Sequence, residues 1–320
     1  MKVTAMTDLS ALPDPSPTTY AGLRVAMLSV HTCPLAMLGG KKTGGMNVYV
    51  RDLSRELGRM GLYVDVFTRS QDDCVPMVVH DLGEQARVIH IPAGPQAPIP
   101  VAEVGDYLDE FAAGVVAFAA AEGLHYDIIH SHYADAGYVG TRLSHRFGVP
   151  LMHTGHSLGR VKRLRLLASG LSNDEIEARY AMSRRVEAEE ATLATAELVI
   201  ASTRNEVVEQ YGLYDCYHPA HMAVVPPGTD LMRFHAPDGT AIRPEDTGRV
   251  GRFLDDPAKP MILAIARADE RKNLGALVVA YGENEALQER GNLVIAAGTR
   301  EDIRQMEEGA ANVLTELLYL

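Results

Sequence analysis

The sequence predicts an α/β protein built from two doubly wound parallel-sheet domains, the second of them incomplete. Three observations lead there. Short β-branched runs alternate with longer helical stretches along most of the chain, which is the rhythm of parallel strands covered by helices. The first run leads through a glycine-rich loop into a helix, the strand–turn–helix unit of doubly wound sheets, whose ligands gather beyond the carboxyl ends of the strands. A polar stretch rich in Pro, Gly and Asp then separates this region from a shorter one holding two strand–helix units.

Residues 1–22 carry Pro13, Pro15 and Pro17 among several acids and read as a loose N-terminal arm, without the basic start and unbroken apolar run of a signal peptide. The first domain is expected over 23–234, with strands at 24–30, 63–68, 87–91, 127–130, 150–154, 198–202 and 222–225. A helix over 45–60 follows the glycine loop and stops at Gly61. Ser172 and Glu175 stand at capping-box spacing and open one long helix that runs to about 197. Pro226, Pro227 and Gly228 break the pattern, and 235–259 reads as the linker. The second domain, 260–320, shows strands at 261–266 and 293–297 and helices over 273–287 and from about 301. A doubly wound domain needs about five or six strands to bury both faces of its sheet. This one is therefore a first part, with apolar surface for a second copy of the chain or another partner to cover.

With 47% hydrophobic residues, 320 residues suffice for two cores. The net charge of −12, without a clustered basic face, repels a phosphate backbone and argues against nucleic acid as a partner. Cys33, Cys74 and Cys216 are too scattered for a disulfide framework or a C-x-x-C metal site, which points to a reducing cytoplasm. The apolar stretch 114–121 is much shorter than the ~20 residues of a membrane span, so no transmembrane segment is expected.

The glycine loop, Gly39 to Asn47, is neither a Walker A motif nor G-x-G-x-x-G, which removes the nicotinamide oxidoreductases. Glycines at a helix start let backbone N–H groups approach a phosphate or sugar, and they also serve tight strand–helix packing. His130, His132, His153 and His156 end two expected strands. With no Cys or carboxylate at ligand spacing beside them, a single sugar-contacting histidine among core histidines is expected, and no metal. Arg184 and Arg185 lie among Glu187, Glu189 and Glu190; they read as a solvated face with an Arg185–Glu189 pair, or as an arginine fork for phosphate or sugar hydroxyls. Arg267 follows a strand and Lys272 precedes a helix, a placement suited to a diphosphate.

Together these segments resemble the retaining glycosyltransferases of family four, which include sucrose-phosphate synthase, sucrose synthase and the inositol-phosphate glycosyltransferase of mycothiol synthesis. The resemblance rests on T-G-G-M-N-V-Y-V at 43–50, H-S-H-Y-A-D-A-G at 130–137, H-T-G-H-S-L-G-R at 153–160, R-R-V-E-A-E-E at 184–190 and P-P-G-T-D at 226–230, with further matches at 267–273 and 298–303. It covers about 24–320 and implies the GT-B fold of two Rossmann-like domains, with the chain stopping inside the second.

The resemblance further implies a hexosyltransferase, sucrose-phosphate-synthase-like, that moves glucose from a nucleoside diphosphate, UDP-glucose foremost, to a sugar or sugar-phosphate acceptor. It implies no required cofactor. By carry-over His156, Arg267 and Lys272 are catalytic; Gly45, Arg267 and Lys272 bind the donor; Asn47, Tyr133, Ser157 and Arg185 bind the acceptor. Two departures stand out. Relatives with phosphorylated acceptors carry a lysine shortly after the pair that is Gly94-Pro95 here, where this chain has Gln96-Ala97-Pro98. The Glu-x7-Glu element that holds the donor in relatives comes late in the second domain, and Glu301 and Glu308 do not take its place. The competing expectation is a non-catalytic remnant or binding module that keeps the acceptor-side fold.

Overall fold

Apolar residues in strands that are covered on both sides run almost without interruption, because neighbouring side chains serve opposite faces. β1 (Arg24–Leu28) shows this directly. Its Val25 and Met27 join one buried cluster, with Val50, Val64, Val66 and Val88, while Ala26 and Leu28 join another, with Phe67, Phe111 and Ile129. The computed structural model describes residues 20–37, 43–235, 248, 250–297, 302, 303, 306 and 308–320.

The chain divides into two compact units, residues 1–230 and 231–320. In the first, β1 is joined by β2 (Tyr63–Arg69), β3 (Val78–Val79), β4 (Ala86–Ile91), β5 (Ile128–His132), β6 (Leu151–Thr154), β7 (Leu198–Ala201) and β8 (Met222–Val224). The eight strands stand in the order β3-β4-β2-β1-β5-β6-β7-β8. All pairs are parallel except β3 with β4. Seven of these strands fall where the sequence places them; β3 is two residues long, too short for periodicity to reveal. The chain winds outward from β1 to β4 and returns to β5 on the other side of β1. The carboxyl ends of β1 and β5 therefore form a topological switch point, where doubly wound sheets take ligands.

Helix α1 (Gly45–Arg59) follows β1 as expected. α2 (Val101–Val104) and α3 (Leu108–Ala121) lead to β5, and α4 (Ala134–Phe147) follows it. After β6 come α5 (Gly159–Ala168), α6 (Asn173–Tyr180) and α7 (Met182–Thr195). The single helix expected from Ser172 to about 197 is corrected here. Its start is right, since Ser172 Oγ caps Glu175 N, but the helix breaks at Ala181, whose φ of 44° and ψ of 49° are left-handed. The Glu177 carboxylate accepts from the N–H and hydroxyl of Ser183, which satisfies a donor at the start of α7 and stabilises the break. No Gly or Pro marks the spot.

In the second unit β9 (Met261–Ala266) pairs in parallel with β10 (Asn292–Ala297), registering Met261 with Asn292 and Ala266 with Ala297. The expected helix over 273–287 is two helices, α8 (Leu274–Gly282) and α9 (Glu285–Arg290), because Asn284 Oδ1 accepts from Leu287 N and starts a new one. α10 spans Glu308–Tyr319. Leu263 and Ile265 on β9 are 53% and 74% exposed, the open apolar face expected of a two-stranded sheet. Residues 1–19 of the expected arm, 236–247 and 249 of the expected linker, and Gly298 and Glu301 lie outside the described residues.

Candidate active site

The switch point gathers the loop after β1, the start of α1, and the ends of β5 and β6. Gly44 opens α1, with its N–H donating to Asn47 Oδ1 at 2.9 Å. The Asn47 amide in turn donates to Thr32 Oγ1 and to the Cys33 carbonyl, each at 2.7 Å. Asn47 is 1% exposed, so its side chain fixes the loop after β1 against the helix start. No described atom lies within 4 Å of a Cβ built on Gly44 or Gly45. Tight packing against the described residues therefore does not account for these glycines. Gly39, Gly40, Lys41 and Lys42 of the same loop lie outside the described residues.

Parallel register sets His132 beside Thr154 and His153 beside Ser131. His130 Nε2 and Thr154 Oγ1 are 2.9 Å apart, as are His153 Nδ1 and Ser131 Oγ. His130 and His153 are thus satisfied core residues. His132 Nδ1 lies 2.9 Å from His156 Nε2, and the Tyr49 ring meets His156 edge-on at 5.1 Å. His132 is fully buried, and its Nε2 has no hydrogen-bond partner among the described residues. Burial, reinforced by the neighbouring imidazoles, holds all four rings neutral. His130 and His153 fall to about 3, His156 to about 4, and His132 lies well below the usual histidine range.

Two non-glycine residues at these strand ends adopt left-handed backbone, Tyr133 with φ 78° and His156 with φ 57°. Such conformations are costly and cluster at functional sites. Tyr133, whose phenol burial pushes up to about 12, receives the Arg185 guanidinium over its ring at 4.5 Å and the His31 ring against it at 4.6 Å. Arg185 Nη2 donates to the Ser157 carbonyl at 2.6 Å and approaches Ser157 Oγ at 3.3 Å. The Arg185–Glu189 pair forms as expected, at 3.0 Å, but the side chains are only 10% and 3% exposed. The solvated-face reading is therefore corrected: this pair belongs to the interior. Arg184 instead reaches Asp106 and the Ala102 carbonyl at the surface.

The sequence reading singled out neither Glu189 as a hub nor His31 and Tyr49 as neighbours. Glu189 accepts from Gly159 N, Arg185 Nε and Tyr214 Oη, and so ties the start of α5 to α7. His31 Nδ1 lies 3.2 Å from Asp135 Oδ2, yet the two are not aligned for a hydrogen bond. Alternation in His130-Ser131-His132 was a visible sign that both rings share one face. Contacts between distant loops left no such sign. Among the described residues, the three-residue group able to hold a metal is the exposed Asp72, Asp73 and Cys74, which includes none of the histidines.

In the second unit Arg267 and Lys272 are exposed at the carboxyl end of β9, where Lys272 closes a short 3₁₀ turn. Arg271 between them is paired with Asp269 and holds that carboxyl at about 2.

A doubly wound parallel sheet followed by a second unit with its own parallel strands is the fold class of the GT-B glycosyltransferases. Residues 43–233 match the family model Glycosyltransferase Family 4, and the chain belongs to that family. A probable sucrose-phosphate synthase 1 of Oryza sativa subsp. indica is 37% identical over 87% of this chain and 32% of its own length. The sucrose-phosphate synthase of Zea mays is 37% identical over 93% of the chain and 35% of its own length. The chain thus spans about a third of the length of these curated relatives. Among solved structures, the sucrose-phosphate synthase of Thermosynechococcus elongatus matches with a TM-score of 0.71 and 29% identity, over 93% of this chain and 67% of that one. Anabaena HepE, solved with UDP and glucose, shares the fold at a TM-score of 0.57 and 14% identity, over 93% and 66%. Among the described residues no helix is long and apolar enough to cross a membrane.

Proposed function

We propose that the chain is the acceptor-side domain and the beginning of the donor-side domain of a retaining, sucrose-phosphate-synthase-like hexosyltransferase. It moves glucose from a nucleoside-diphosphate sugar, UDP-glucose foremost, to a sugar or sugar-phosphate acceptor. The observation that carries the reading is the carboxyl edge of the first sheet, where the left-handed His156 and the Arg185–Tyr133 stack lie within the segment that matches the family, as does the Gly44–Gly45 turn at the start of α1.

Each residue has a physical task. Gly45 lets backbone N–H groups approach the donor, and His156 offers a neutral imidazole to the transferred sugar. Tyr133, Ser157 and Arg185 line the acceptor side, with Asn47 holding the loop that shapes it. When the bond from the anomeric carbon to the diphosphate breaks, its electron pair passes to the leaving oxygen. Arg267 and Lys272 stabilise the charge that collects there, and the acceptor hydroxyl attacks the anomeric carbon from the same face and passes its proton to the leaving phosphate oxygen, which retains the configuration.

The test is a donor and acceptor screen on the full-length protein, with product configuration read by NMR, followed by Arg267→Ala and Lys272→Ala. Each variant is expected to lose at least ~100-fold in turnover, the scale of removing one preorganised charge contact. Near-normal turnover in both refutes their roles. The alternative is a binding module that keeps the acceptor-side fold without turnover. It stands if the protein binds sugars but transfers from none of the donors.

A further inference from the structure

The His132–His156 contact decides which ring nitrogen His156 can offer. Two imidazole nitrogens 2.9 Å apart form a hydrogen bond in which one donates and the other accepts. If His132 accepted, its only proton would sit on Nε2, which is buried without a partner among the described residues. An orphaned buried N–H is rarer than an under-satisfied acceptor. If His132 donates through Nδ1, its Nε2 keeps only a bare lone pair, the lesser cost. Protonating both rings is excluded by their burial beside His130, whose ring lies 4.2 Å from that of His132.

We infer that His132 is a positioning residue whose Nδ1–H donates to His156 Nε2, and that this fixes His156 as an Nδ1–H donor at the ligand edge of the sheet. His156 is then a hydrogen-bond donor to an oxygen-rich ligand such as a sugar hydroxyl. It cannot serve as a base, because its ring lone pair, on Nε2, already accepts from His132. Tyr49, edge-on to the His156 ring, and the left-handed backbone at His156 hold the ring in this pose. The sugar as the ligand rests on the function proposed above; the tautomer does not.

The first measurement is the ring ¹⁵N spectrum of the histidine-labelled protein near pH 7.5, assigned with His156→Gln and His132→Asn. The expected result is His156 and His132 both protonated on Nδ1. His156 protonated on Nε2 overturns the inference whether or not any donor is turned over. The second measurement compares His132→Asn, whose amide nitrogen takes the place of Nδ1, with His132→Leu, which fits the buried site but cannot donate. Asn is expected to preserve the His156 tautomer and most of kcat. Leu is expected to lose the tautomer and about 10- to 100-fold of kcat, the scale seen for partners that orient a functional histidine. A purely structural His132 gives the opposite order, since Leu packs better in an apolar site, and that order also overturns the inference. If the tautomer is as assigned but the full-length protein transfers no sugar, the proposed function fails and the inference stands.

Discussion

At the scale of single residues, the site depends on buried charge as much as on the histidines. Glu189 receives the Arg185 guanidinium, the Tyr214 hydroxyl and the Gly159 N–H while almost wholly inside the protein. Burial pushes its carboxyl above the usual range, although Arg185 and Tyr214 pull the other way. Removing one partner of a buried pair leaves the other charge uncompensated, at a cost of about 3 to 5 kcal/mol. Glu189→Ala is expected to destabilise the protein on that scale in urea denaturation, and a loss under about 1 kcal/mol would show the pair to be solvated. Legibility at this scale was uneven. The i,i+4 spacing announced the Arg185–Glu189 pair; only packing against α5 and Tyr214 put it in the interior.

Between elements, close approaches fix the geometry that carries the site. Gly137 on α4 faces Thr192 on α7, whose hydroxyl donates back to the Ala188 carbonyl, and a Cβ at Gly137 would collide with that stiff side chain. Gly137→Ala is expected to cost about 1 to 3 kcal/mol from overpacking. Thr192→Ser, which removes the methyl and leaves the hydroxyl, is not expected to relieve all of it; a double-mutant cycle measures the coupling. Strands were legible because apolar runs bounded by polar turns carry their own signal. The breaks at Ala181 and Asn284 were not, because each follows from one side chain satisfying a helix start, which propensity does not register.

For the whole molecule, the neutral histidines make stability depend on pH. Unfolded, each titrates near 6.5, whereas folded His130 and His153 fall to about 3 and His156 to about 4. Between these limits the unfolded state binds more protons, so stability falls as pH drops below about 6.5 and is unaffected by these groups above it. Each buried histidine contributes a slope of up to about 1.4 kcal/mol per pH unit. In urea titrations from pH 7 to 4.5, His153→Asn, which keeps a partner for Ser131, is expected to flatten the slope by about one proton. An unchanged slope would mean that His153 already titrates normally in the fold.

From its sequence alone this protein declared its class, the seven main strands of its first sheet, the starts of the helices that follow the glycine loop and Ser172, and the motifs that place it in Glycosyltransferase Family 4. These are properties of local periodicity and of short segments, which need no knowledge of distant neighbours. Only the tertiary structure decided which histidines are spent in the core, that His132 and His156 pair, and that Glu189 ties α5 to α7. Those outcomes depend on register between strands and on burial, which exist only once residues far apart in the chain have come together.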